Sequence, residues 1–285
     1  MKFSIQHHTR YQYSSPVQLG PHVLRFHPRG DGAQRVLDYH LNVTPTPVGT
    51  NCHLDLEGNQ LTQVWFEGNT ECFEVVASMM VETLRHDPYH FILNFDAVTL
   101  PIDYSSENQQ FIQAYLNRIQ SNHKINKYAD DLSRDCSGNS MEFLTALTEK
   151  IHVGFKHVHR DAGDPQTPQQ TLELRQGACR DLAVFFIDCC RSQGIAARFA
   201  SGYQKGDLAS NRRFLHAWPE AYLPGAGWIG FDPTHGQIIG DTHVTVAASA
   251  SPANTLALSG GFGSDAVEMV DSTLNYNVVI RLADF

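Results

Sequence analysis

Apolar residues recur at every second position in stretches of the first hundred residues of this chain, and helical spacing sets in near Ser105; this change of period limits what each part can become. Phe3, Ile5 and His7 alternate with Lys2, Ser4 and Gln6, and Val64 and Phe66 alternate with Trp65 and Glu67. Phe73-Glu74-Val75-Val76 follows a Gly68-Asn69 turn, Gly58-Asn59 marks another turn, and Pro45 and Pro47 punctuate the stretch between. Short strands joined by turns predict a β-sandwich, ending in the region of Pro88 and Pro101.

Helical spacing begins near Ser105, where Phe111, Ile112, Tyr115, Leu116 and Ile119 share one face. A second helix is expected over 140–155, with Ser140 as its N-cap. A third starts at Thr167, with Pro168 at its first position and Gln170 where a capping box wants Glu or Gln, and ends at Gly177. A fourth runs from Cys179 to Ser192 and stops at Gly194; it is apolar nearly all round and should be buried. Strands are expected over 197–203, 215–223, 228–231 and 276–282, and the Ala-, Ser- and Gly-rich residues 247–263 read as loop. The expected fold class is α+β: a β-sandwich domain over 1–100, then a core over 101–285 in which a helix packs on an antiparallel sheet.

The 285 residues carry a formal net charge of −9, which argues against nucleic acid or an anionic membrane as the main partner. No stretch reaches the roughly 18 apolar residues of a membrane span, and the first residues lack a signal-peptide core, so a cytoplasmic location is expected. Six scattered cysteines do not make a disulfide framework, and without a CxxC pair a thiolate zinc site is not expected. Cys189 and Cys190, three turns past Cys179 on one buried helix, should be inert core residues.

Gly177-Ala178-Cys179-Arg180-Asp181 places a cysteine at a helix start, where unpaired N–H groups and the macrodipole favour a thiolate and could hold an oxyanion. Asp181 can accept first-turn N–H bonds, but its charge opposes the thiolate, so a cationic partner is required. His216, opening an apolar strand, is the best candidate, and Asp232, at the end of the next strand, could orient its ring. If only residues 224–227 form the loop, Leu223 faces Trp228 and Asp232 faces Pro219. His216 then lies on the opposite sheet face, and the three groups meet only through a longer loop or a bulge. Each of the three residues, taken alone, also fits a structural role.

Together their contexts resemble the transglutaminase-like superfamily. The matching segments are Gly177-Ala178-Cys179-Arg180-Asp181, Ser201-Gly202-Tyr203, His216-Ala217-Trp218 and Gly227-Trp228-Ile229-Gly230-Phe231-Asp232-Pro233-Thr234, four motifs in order. Tyr11-Gln12-Tyr13, Arg25-Phe26-His27-Pro28-Arg29 and Asp55-Leu56-Glu57-Gly58-Asn59 resemble the β-domain that often precedes this core. The resemblance implies a papain-like arrangement with Cys179 as nucleophile, His216 as base and Asp232 as orienter. It implies a cysteine-dependent amide-bond hydrolase or acyltransferase, a protease or amidase working through a thioester acyl-enzyme on a peptide or protein amide. Arg180 stands where the family commonly has Gln, and Pro219 where an aliphatic residue is usual.

The competing reading is a catalytically inactive module that binds a peptide in the same groove. A metal site at His157-Val158-His159 or His7-His8 is a third, but no His-Glu-x-x-His or cysteine cluster supports it, and no acidic loop suits calcium. No metal and no cofactor are therefore expected. The natural substrate and the oligomeric state are not legible in the sequence.

Overall fold

The computed structural model describes residues 1–104, 106–118, 120–160, 163–206, 213–264 and 269–283. The first part holds six strands: β1 (Lys2–Leu19), β2 (His22–Leu24), β3 (Gln34–Thr44), β4 (Gly49–Leu54), β5 (Gln60–Trp65) and β6 (Asn69–Thr83). Five helices follow, α1 (Ser106–Leu116), α2 (His123–Asp135), α3 (Ser140–Gly154), α4 (Pro168–Leu174) and α5 (Cys179–Ser192). The short strands β7 (Lys156–His157) and β8 (Gln176–Gly177) flank α4 and pair in parallel. After α5 come β9 (Ala197–Gln204), β10 (His216–Leu223), β11 (Gly227–Asp232), β12 (Gln237–Ile238) and β13 (His243–Ser249), then β14 (Leu258–Ser259), β15 (Phe262–Gly263) and β16 (Ser272–Leu282). Among the described residues no helix is long and apolar enough to cross a membrane.

Two sheets make the N-terminal sandwich. In one, β1 lies between β6 and β16; in the other the order is β14-β2-β5-β4. The period-two pattern of β1 is borne out, because Phe3, Ile5, His7 and Thr9 are buried on one face. The division at residue 100 does not describe these sheets, since β14, β15 and β16 return from the C-terminal end to pair with β2 and β1. Strand pairing joins residues more than 250 positions apart, and local periodicity carries no information about such partners.

In the second part, α5 packs on the antiparallel sheet β12-β11-β10-β9-β13. Phe185, Phe186, Cys189 and Cys190 are fully buried, and Phe186 stacks on Phe231 at 5.7 Å. The expected burial of this helix on all sides is what is seen. Its far half is fixed by Asp188, which accepts two bonds from Arg118 (2.7 and 2.8 Å).

Four local expectations need correction. Asn139, not Ser140, caps α3, its side chain accepting from the Glu142 N–H, while the Ser140 hydroxyl donates to the Ala97 carbonyl. The capping box of Thr167 and Gln170 is present, but α4 stops at Leu174 with Arg175 left-handed, before Gly177. In α1, Ile112 is buried but Phe111 faces solvent; Ser105 and Ile119 lie outside the described residues. Residues 247–249 are not loop, because β13 runs through them and Ala247 and Ala248 are wholly buried. Both faces of β13 are covered, so small apolar side chains replace the alternation that marks a half-exposed strand.

The edge of β13 is held by side chains of the sandwich. The Gln34 amide brackets Thr245, donating to its carbonyl (2.7 Å) and accepting its N–H (2.8 Å). The buried Asn59 amide does the same at Ala248 (2.9 and 2.8 Å), and the Glu57 carboxylate accepts the Ala250 N–H. These amides complete the backbone pairing that an edge strand would otherwise leave open. The Asp55-to-Asn59 turn thus ties the sandwich to the strand that begins at His243.

Candidate active site

The start of α5 explains the spacing of its motif. Asp181 is fully buried and accepts the Ala178 N–H (2.7 Å), the Gln166 N–H (2.8 Å) and Arg160 Nη2 (2.6 Å). Its charge is therefore spent on the helix start and on Arg160. A Cβ on Gly177 would come within 2.7 Å of the Asp181 Cβ, so the motif glycine leaves room for the capping carboxylate. Cys179 is the first residue of α5, and its N–H has no acceptor within the helix.

His216 opens β10 and Asp232 closes β11. The turn between them holds three residues, 224–226, because Leu223 pairs with Gly227 and Tyr222 with Trp228. This register differs by one from a four-residue turn. Counting on from the Glu220–Gly230 pair, Asp232 comes level with Trp218, and His216, two residues away, shares that face. No bulge between β10 and β11 is needed. The ladder between these strands ends at Glu220, next to Pro219.

Asp232 is fully buried and accepts His216 Nε2 at 2.9 Å. The Cys179 sulfur is in hydrogen-bond contact with the same ring and with the Ala217 amide. With Nε2 engaged, Nδ1 is the ring nitrogen left for the sulfur. All three side chains named from the sequence are thus brought together.

Burial works against charge on all three groups and is outweighed on each. The His216 ring is raised to about 10 despite its burial, by the Asp232 charge and hydrogen bond and by the Cys179 sulfur. For Cys179, burial pushes the thiol up, but the His216 hydrogen bond and charge bring it below its ordinary value. For Asp232, burial is overcome by His216 and by three imidazole hydrogen bonds, which hold the carboxyl well below the usual range. The arrangement favours a thiolate–imidazolium pair beside a carboxylate. Cys189 and Cys190 are pushed well up by full burial.

Two residues that the sequence reading missed also bind Asp232. His235 Nδ1 meets Oδ2 at 2.7 Å and His243 Nε2 meets it at 3.0 Å, while Oδ1 accepts the N–H groups of Thr234 and His235. A carboxylate only accepts, so both ring nitrogens carry protons when bonded to it. His243 is buried, which lowers its pKa and keeps it neutral, and Thr242 Oγ1 contacts its Nδ1 at 2.9 Å. The available signals were a histidine directly after Asp232-Pro233-Thr234 and a lone histidine opening an apolar strand.

The motif glycine of Ser201-Gly202-Tyr203 also has a packing cause. Gly202 pairs with His216, and a Cβ there would meet the Val244 carbonyl at 2.0 Å and the Trp218 ring at 2.9 Å. Its absence lets β13 close on β9 and brings His243 to the site. Three of the histidines weighed for metal are engaged elsewhere. His7 is buried against Tyr203 and Thr9, His8 meets Glu74, and His159 packs on Phe214. Pairing of His157 with Gly177 brings His157 toward the start of α5.

Comparison with known proteins agrees with this architecture. Residues 3–82 match the model of the bacterial transglutaminase-like N-terminal region, and residues 126–233, which include Cys179, His216 and Asp232, match that of the transglutaminase-like superfamily. The chain belongs to the transglutaminase-like superfamily. It is 22% identical over 277 residues to an uncharacterized protein of Mycobacterium tuberculosis, covering 91% of this chain and 87% of that one. A 127-residue stretch is 28% identical to a protein-glutamine gamma-glutamyltransferase of Pseudomonas aeruginosa, covering 41% of this chain and 19% of that protein. The fold matches the crystal structure of a candidate cysteine protease from Cytophaga hutchinsonii with a TM-score of 0.74 at 24% identity, covering all of this chain and 91% of that one.

Proposed function

We propose that this protein is a cysteine-dependent amide-bond hydrolase or acyltransferase acting through a thioester. The observation that carries the reading is the contact of Cys179, at a helix N-terminus, with a His216 ring whose other nitrogen is held by buried Asp232. In the reaction, the Cys179 thiolate attacks the carbonyl carbon of a peptide or protein amide, and the carbonyl electron pair moves to oxygen. The Cys179 N–H, without an acceptor in its helix, is available to stabilise that oxyanion. The His216 imidazolium gives its proton to the departing nitrogen as the C–N bond breaks, leaving a thioester. Water or an amine then attacks, His216 takes its proton, and the thiolate leaves. Asp232 holds the ring and balances its charge; it is not itself protonated. The Pseudomonas aeruginosa relative, whose name describes acyl transfer from protein glutamine, supports the same chemistry in this superfamily.

The test is acyl-enzyme trapping from a peptide library, read by mass spectrometry, together with iodoacetamide labelling near neutral pH. Cys179 should label fastest of the six cysteines, and His216→Ala should slow it strongly. Cys179→Ser should abolish turnover, and His216→Ala and Asp232→Asn should then cost little more. Turnover retained in Cys179→Ala would end the proposal.

A further inference from the structure

Three imidazole nitrogens converge on one oxygen. His216 Nε2, His235 Nδ1 and His243 Nε2 lie 2.9, 2.7 and 3.0 Å from Asp232 Oδ2. The donor atoms of His216, Asp232 and His243 all lie within 4.8 Å of one another. A carboxylate oxygen has two in-plane lone pairs, so three N–H donors oversubscribe it. The His216 and His243 nitrogens with the Asp232 oxygen, and the His235 nitrogen beside that oxygen, are instead a donor set that suits a tetrahedral divalent cation such as zinc.

We propose that this cluster is a zinc site, formed by His216, His235, His243 and Asp232, whose occupation switches the thiol chemistry off. Zinc–nitrogen bonds of about 2.0–2.1 Å put tetrahedral ligand atoms about 3.3 Å apart, so each ring nitrogen needs to withdraw from Asp232 Oδ2 by only a few tenths of an ångström, while the His235 ring must also turn toward the other two. His235 is the member that can yield and admit the ion, because its side chain is 41% exposed while those of Asp232 and His243 are closed. Support from outside the ligand shell is present as well. His216 is held at its other nitrogen by Cys179, and His243 Nδ1 faces the Thr242 hydroxyl, which can accept as well as donate.

The protons balance. The ion takes the place of the Nε2 proton of the His216 imidazolium, and that proton leaves to solvent. His243, already neutral, moves its proton to Nδ1, where Thr242 Oγ1 accepts it; His235 binds through Nδ1 and carries its proton on the solvent-side Nε2. His216 keeps an Nδ1–H toward the Cys179 thiolate. That N–H, on a neutral metal-bound ring, is too weak an acid to protonate a departing amine. Inhibition rests on the function proposed above; the metal site does not.

The two are separable by measuring binding in a chain that cannot turn over. Untagged Cys179→Ser protein is dialysed against zinc and its metal content is measured, with cobalt as a spectroscopic probe. The expected result is one equivalent bound with a dissociation constant of about 10 µM or tighter, and visible absorption of tetrahedral cobalt. His235→Ala and His243→Asn should each weaken binding about tenfold or more. If His243→Asn fails to fold, His235→Ala decides alone, because its ring lies on an exposed turn. Absence of saturable binding in Cys179→Ser, or binding indifferent to His235→Ala, overturns the proposal. Absent turnover in the unaltered chain would overturn the functional reading and leave the zinc result standing.

Discussion

His7 and His216 are both buried, yet their environments drive them in opposite directions. His7, in the sandwich, contacts the Tyr203 hydroxyl at 2.9 Å and the Thr9 hydroxyl at 3.1 Å, and burial lowers it to about 4. His216, one residue pair from Tyr203 across the β9–β10 ladder, is raised to about 10. Hydroxyls satisfy a ring without stabilising a charge on it. The Asp232 carboxylate and the Cys179 sulfur stabilise the charge itself, and at short range in a poorly polarisable interior that outweighs desolvation. Burial alone thus gives a neutral structural histidine, and burial beside a carboxylate gives a charged one.

Asp232→Asn should erase this difference and have the largest effect. It removes the charge, so His216 should fall from about 10 toward the His7 case, below the free value of about 6.5. The thiolate–imidazolium pair should exist between the lowered Cys179 titration and the raised His216 titration, with both limbs belonging to the coupled pair. The alkaline limb of turnover should therefore lie near pH 10 and move down by several units in the variant. Turnover should drop about 10³- to 10⁴-fold. An alkaline limb that stays put would mean that Asp232 does not charge the ring.

His7 gives the next largest effect, on stability. Its folded value of about 4 lies below the unfolded value of about 6.5, so the unfolded chain binds more protons between them. Stability should fall as pH drops through that window and level off below it, by about 3 kcal/mol in total. His7→Gln removes the titration but keeps polar atoms near Tyr203 and Thr9. Urea unfolding at neutral pH should show the variant less stable, and at pH 4.5 the gap should narrow by about 2–3 kcal/mol. Carboxylates such as Asp232 also lose stability on acidification, but equally in both proteins. A gap independent of pH would show that His7 does not titrate in this way.

The residues of the candidate site were more legible in the sequence than their geometry. Cys179, His216 and Asp232 were legible because their motifs combine a helix start, a strand start and a strand end. Which face Asp232 occupies was not, because a turn of three residues at 224–226 instead of four moves every later side chain to the other face. β13 hid because Ala247 and Ala248 are buried on both faces and show no alternation. Helix α2 hid for the converse reason: only Ile125, Ala129 and Leu132 are buried among its many charged residues. His235 and His243 are single residues without a motif, and their meaning depends on strands brought beside Asp232 by long-range pairing.

His243 separates charge from hydrogen bonding most finely, and its effect should be the smallest. It is neutral and supplies one N–H to Asp232, which also accepts from His216, His235 and the Thr234 amide. A hydrogen bond to a carboxylate contributes about 1.5–3 kcal/mol, part of which the Gln amide can keep, so His243→Gln should lower turnover only about fivefold. The Asp232 charge remains, so the alkaline limb of turnover should stay near pH 10, where Asp232→Asn moves it. The pH profile decides because misfolding would lower amplitude without shifting the limb. If His243→Gln displaced the limb as far as Asp232→Asn does, orientation by the hydrogen-bond network, and not the carboxylate charge, would be what holds the His216 proton.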